Sequence, residues 1–232
     1  MTITGLSKSN NVIKPLLTLL QKEFALELRR KAVISGIGLY LFSLIFICYL
    51  TFSLRKNSIN EATWSALFWL AILFSVTNSV AKSFIGEKRG TFIYYYSVAS
   101  PQAIILSKII YNGILCVVLS LAGYGLFSIF IDNPVQDKLL FITTLLLTSF
   151  GFSASLSLIS GIASKANNSN ILMAVLSFPV ILSILLMAIK ITKNVLDGLD
   201  RSTSYDELLN LLAINCILTS LAYMLFPYIW RS

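Results

Sequence analysis

LLFITTLLLTSFGFSASLSLISGIAS, Leu139–Ser164, runs for 26 residues without a charge, between Lys138 and Lys165. At about 1.5 Å of rise per residue, a helix of this length covers the roughly 30 Å hydrocarbon core of a bilayer. Five further stretches share the property: 32–54, 62–81, 109–131, 166–189 and 208–230. Six crossings take up most of the 232 residues and leave almost nothing for a soluble domain. Charged residues make up 12% of the chain, about half the level of a soluble globular protein, and mean hydropathy is +0.82. Transmembrane β-strands are far shorter and alternate in polarity, a pattern absent here. The expected fold is therefore an all-α polytopic membrane protein with six transmembrane helices. Met1–Lys31 is polar and then amphipathic rather than an early apolar run with a cleavage site, so the first span is expected to act as the insertion signal.

The formal net charge of +8 reads as a membrane signature rather than a nucleic-acid one, because of how it is distributed. Twelve basic residues fall on one side: Lys8, Lys14, Lys22, Arg29, Arg30, Lys31, Lys82, Lys88, Arg89, Lys108, Lys165 and Arg231. Six fall on the other, which also holds most of the acidic residues: Glu61, Asp132, Asp137, Asp197, Asp200, Asp206 and Glu207. The basic side is expected to be cytoplasmic, which places both termini inside.

The chain divides into a cytoplasmic segment, 1–31, and a six-span domain, 32–232. Within 1–31, Val12–Lys31 reads as an amphipathic helix on the cytoplasmic interface. Ile13, Leu16, Leu17, Leu20, Phe24 and Leu28 share one face, with Lys14, Thr18, Lys22 and Arg29 opposite. Glu27 lies within the apolar face and Glu23 at its edge. Such a carboxylate either pairs with its own helix, as Glu27 would with Lys31, or is aimed at a basic group in the cytoplasmic loops or a partner.

The connection 82–108, KSFIGEKRGTFIYYYSVASPQAIILSK, is the longest on the cytoplasmic side. Its uncharged part is broken by Gly90, Ser97, Ser100 and Pro101 and carries Tyr94, Tyr95 and Tyr96, which suit the headgroup level. A short interfacial helix is expected there. In the fourth span Ser149, Ser153, Ser157 and Gly161 recur every four residues and make one helix face small, suited to close helix packing or to a substrate or dimer surface. Pro179 predicts a bend in the fifth span, and 191–208 leaves room for a short helix.

Several chemistries have no residues to stand on. The chain has no histidine, and its three cysteines, Cys48, Cys116 and Cys216, lie in different spans without metal-ligand spacing. No charge lies mid-span to make a proton relay. No G-x-x-x-x-G-K-[ST] sequence is present, so ATP is not bound through a P-loop. The expectation is a non-catalytic membrane subunit that binds no cofactor or metal itself.

Two segments point further. KEFALELR at Lys22–Arg29 is similar to the opening F-x-L-E-L-R helix of the cytochrome c maturation permease family (CcmB-type, haem exporter protein B). FIGEKRGT at Phe84–Thr91, followed by SPQAIILSK at Ser100–Lys108, is similar to that family's coupling loop. The chain departs from the pattern at Phe92, Ile93 and Tyr94, where the family usually carries an acidic residue. The resemblance covers about 20–220. It implies the type 2 ABC exporter permease architecture, six spans after an amphipathic interfacial helix, in the bacterial inner membrane. It also implies a homodimer docked to a separate ABC ATPase subunit that carries the ATP. Further implied partners are a haem-handling membrane protein and a periplasmic haem chaperone, with haem as a candidate substrate of the complex. Glu87, Lys88, Arg89, Gly90 and Pro101 would then form the ATPase-coupling loop, and Glu23, Glu27 and Arg29 the polar groups of the interface helix. A permease for lipid or drug export and a non-transport membrane scaffold are the rival readings of the same architecture.

Overall fold

The computed structural model describes residues 13–29, 31–53, 60–80, 100–131, 133–166 and 168–231. Seven α-helices cover nearly all of them: α1 Ile13–Arg29, α2 Lys31–Ser53, α3 Glu61–Val80, α4 Pro101–Phe130, α5 Lys138–Ala163, α6 Ser169–Leu196 and α7 Tyr205–Arg231. No strand occurs among the described residues. The six helices α2–α7 are each long and apolar enough to cross a bilayer. In a medium that offers no water to backbone groups, a helix satisfies its own N–H and C=O groups, which is why apolar runs of this length become helices.

Two boundaries differ from the charge-free windows. The third crossing starts at Pro101, not near 109, and continues unbroken to Phe130. Pro101 to Lys108 is therefore the first two turns of α4; the rest of the stretch expected to form an interfacial helix lies outside the described residues. The cause is local: the Ser100 side chain accepts from the Ala103 amide at 3.4 Å and Pro101 occupies the first turn. Ser-Pro is a start signal here, because a first-turn residue has no helical partner for its N–H anyway. The fifth crossing extends past Lys190 to Leu196. A short 3₁₀ turn, Arg201–Ser204, fills part of the 191–208 connection before α7. Pro179 lies inside α6, and its carbonyl accepts from the Ser183 hydroxyl at 3.0 Å.

α5 is the central helix. Every residue from Gly151 to Gly161 is buried, and α5 packs against α4, α6 and α7. Its small side chains make this feasible, since they let neighbouring backbones close in on several sides. Glycines on the neighbours serve the same purpose: a Cβ on Gly123 of α4 would meet Ile72 Cδ1 of α3 at 2.5 Å.

Near the α3–α4 and α5 contact the core is aromatic. Trp64 stacks on Phe68 at 5.4 Å, and both meet Phe127 edge-on at 5.5 and 5.4 Å. Trp69 Nε1 donates to Thr192 Oγ1 of α6 at 2.9 Å, and that hydroxyl donates in turn to the Ala188 carbonyl at 2.7 Å. α2 is peripheral. It exposes Leu39, Phe42, Phe46, Ile47 and Leu50 and contacts α4 through rings, with Phe42 and Tyr49 at 5.9 and 5.6 Å from Phe130.

Candidate coupling site

α1 is fastened to the beginning of α4. Leu19 is buried in an apolar cluster with Ala103, Ile104 and Ile109 of α4, Leu158 of α5 and Phe226 of α7. One turn along α1, Glu23 Oε2 accepts from Lys108 Nζ at 3.1 Å. Next to it, Phe24 meets the ring of Tyr111 edge-on at 5.1 Å. Residues 19 and 23 lie four apart, as do 104 and 108, so each helix offers one ridge to the other. Lys108 is only 4% exposed. Sequence reading places it among the loop charges; the structure places it within the bundle, with the Glu23 carboxylate as partner. A buried ammonium persists only when it is paired, which is the physical reason for the juxtaposition.

The remaining coupling residues divide by where they fall. Glu87, Lys88, Arg89 and Gly90, with the tyrosines 94–96, lie outside the described residues. Pro101 opens α4, seven residues before Lys108 in the sequence. Glu27 and Arg29 belong to the last turns of α1, and their side chains are outside the description. Among the described residues, Glu23 is the expected interface-helix group with a polar contact: it meets Lys108 across 85 positions of sequence, with Lys22 Nζ 3.9 Å from its other carboxylate oxygen.

The serine stripe of α5 faces α4 within the same chain. Asn112 Nδ2 donates to Ser157 Oγ at 2.8 Å, Ser120 and Ser149 hydroxyls lie 3.1 Å apart, and Ser153 Oγ donates to the Ile109 carbonyl. All three serines are buried, as is Gly161. This surface is already occupied inside the protomer. Asn112 stands in the sequence as one polar residue of the third span; its partner becomes visible only once α4 and α5 are aligned. The Trp69–Thr192 bond carries no signal in the sequence, because tryptophan and threonine are ordinary residues of apolar helices.

The CcmB protein family matches residues 14–225, most of the chain. The chain belongs to the CcmB protein family. No curated protein and no solved structure matches it. CcmB proteins are the permease component of an ABC-type haem-exporter system in cytochrome c biogenesis, generally non-catalytic, so this is a multi-pass membrane transporter subunit. The matched region starts within α1 and ends within α7, so the α1–α4 junction lies inside the CcmB unit. Among the described residues no three Cys, Asp or Glu side chains converge as a metal site would require.

At the end of the CcmB bundle remote from α1, the loops are laced to each other. Asp137 caps α5 by accepting from the Leu139 and Leu140 amides, both at 3.1 Å, and binds Arg201 ahead of α7. Gln136 Nε2 donates to the Leu196 carbonyl at the end of α6, at 2.9 Å. Gly198 adopts φ +66°, and a Cβ there would sit 2.3 Å from Gln136 Oε1. That backbone conformation favours glycine, and a Cβ there would have to displace the Gln136 side-chain amide. The Arg201 guanidinium, then the Leu140 amide, hold the Asp137 carboxyl below the usual carboxylate range, against a smaller opposing effect of burial.

Proposed function

We propose that this chain is the membrane-embedded half of a homodimeric permease whose ATPase is a separate polypeptide. The complex works in the bacterial inner membrane, with both termini cytoplasmic. ATP hydrolysis on the partner drives release of a haem-loaded periplasmic chaperone, together with a haem-handling membrane protein, so that apocytochromes can be matured. The observation that carries this reading is the CcmB match across 14–225, in a sequence with six apolar helices long enough to cross a membrane and no P-loop.

A motor outside the membrane must act on cytoplasmic elements. The connection 81–99, with Glu87, Lys88, Arg89 and Gly90, together with α1, read as an interfacial amphipathic helix, provides them. Haem is a substrate of the complex in this reading, and this subunit holds none through a strong axial ligand.

The test is affinity capture of the full chain from native membranes with mild detergent. An ABC ATPase and a haem-binding membrane protein should accompany it, with two copies of the chain per complex. The isolated subunit should show no stoichiometric axial-ligated haem spectrum. Capture without any ATPase, or with the ATPase of a lipid or drug exporter, would overturn the assignment.

A further inference from the structure

α4 is held on two sides within a single stretch. Lys108 binds Glu23 of α1. One residue on, the Ile109 carbonyl accepts from Ser153 of α5, and one turn on, Asn112 donates to Ser157 of α5 at 2.8 Å. The five residues 108–112 therefore carry polar ties in both directions. A purely apolar contact tolerates sliding, because dispersion and burial have no direction. A buried ammonium–carboxylate pair does not, because separation strands a charge out of water. Lys108 also lies only two turns from Ser100, where the connection 81–99 delivers the chain into α4.

We propose that Glu23 and Lys108 are positioning residues for the transport step: their pair makes α1 and the first three turns of α4 a single body, and passes displacement of either one on to α5. The inference deepens the ATPase-driven reading and rests on it for the consequence, though the joint itself does not depend on it. Cytoplasmic force on α1 and force on the 81–99 connection then arrive at the same place, the 108–112 stretch, and leave through α5, the helix that touches α4, α6 and α7. Without the pair, α1 would still have Leu19 and Phe24 to hold it against the bundle, so it would stay docked but slip.

Two measurements test this. The first uses the full chain in nanodiscs and needs no ATPase. Amide exchange over 13–29 and over 101–112 should rise together, by about ten-fold, in Glu23→Gln, and return in the charge swap Glu23→Lys/Lys108→Glu. Unchanged exchange, or a rise confined to α1, would overturn the single body.

The second uses the complex captured with its ATPase and compares ATP hydrolysed with cytochrome matured. Glu23→Gln should keep assembly and hydrolysis but lose about ten-fold in maturation per ATP, with recovery in the swap. The apolar pair Glu23→Leu/Lys108→Leu should recover assembly without recovering the ratio, since it restores contact but not register. If the apolar pair recovers the ratio as well as the swap does, or if Glu23→Gln leaves the ratio intact, the pair is packing only and the inference fails. If Glu23→Gln does not assemble, the comparison between swap and apolar pair decides alone. A chain that captures no ATPase counts against the proposed function, while the exchange experiment still decides the joint.

Discussion

Arg201 grips Asp137 with two guanidinium nitrogens, Nε on Oδ2 and Nη2 on Oδ1 at 3.1 Å, and so joins the loop before α5 to the turn before α7. The same carboxylate caps α5, so one side chain closes a helix end and a loop contact together.

Its pH dependence follows from the direction of the shift. The Asp137 carboxyl is more acidic folded than unfolded, where a value of about 3.9 applies. A depressed folded value contributes stability that is present above about pH 4 and is lost as the pH falls further, through the folded value. Between pH 6 and pH 3 the melting temperature of the protein in detergent should fall more steeply than that of Asp137→Asn, which keeps a capping side chain but cannot titrate. The effect is small, because Arg201 is exposed. Parallel slopes would assign the acid sensitivity to other carboxylates.

Asn112→Leu should loosen α4 from α5. An interhelical hydrogen bond within a membrane is worth about 0.6 kcal/mol on average and up to about 2. The loss should therefore be about 1 kcal/mol, read from unfolding equilibria in mixed micelles. Ser157→Ala in the Asn112→Leu background should add little, because the bond is already gone. Full additivity would show that the two side chains act apart.

Gly151 and Asn215 form a close contact between α5 and α7. A Cβ at 151 would fall 2.5 Å from Asn215 Oδ1 and 3.2 Å from Ile184 Cδ1. The amide cannot simply turn away, because its Nδ2 is bonded to the Leu147 carbonyl at 2.8 Å. Gly151→Ala should cost about 1–3 kcal/mol. Asn215→Ala should recover part of that loss, an interaction that a double-mutant cycle measures directly. A neutral Gly151→Ala would show that α7 shifts freely.

Topology has its own check. With single cysteines placed for labelling in intact cells, positions 88 and 165 should be shielded from an impermeant reagent and position 200 should react. Labelling at 88 from the periplasm would reverse the orientation.

Glu87 is expected to dock the ATPase, since a carboxylate among Lys88 and Arg89 does nothing for positive-inside insertion. Glu87→Ala should leave insertion and dimerisation intact and weaken ATPase binding about ten-fold, the value of one charge-assisted bond of about 1.5–3 kcal/mol. Lys88→Ala should matter less, with Arg89 beside it. Full binding and maturation in Glu87→Ala would leave the cluster as a topology signal only.

The amino-acid sequence by itself determined that the chain is a bundle of six long apolar helices, because uncharged runs of 20 or more residues have one stable answer in lipid. It determined the family too, through short motifs in α1 and around 84–108. Periodicity also marked the serine face of α5 as small, and left open whether it packs on another helix of the chain or forms a dimer or substrate surface. Ser149, Ser153 and Ser157 pack on α4 of the same chain because Ile109, Asn112 and Ser120 present matching groups there, and such complementarity across 29 to 45 positions exists only after folding. The start of α4 is hidden in the sequence for a related reason. A charge marks the end of an apolar run, yet Lys108 lies inside α4 and is buried where Glu23 meets it from α1. A lysine's cost of burial depends on what lies opposite, and no one-dimensional reading of hydropathy contains that term.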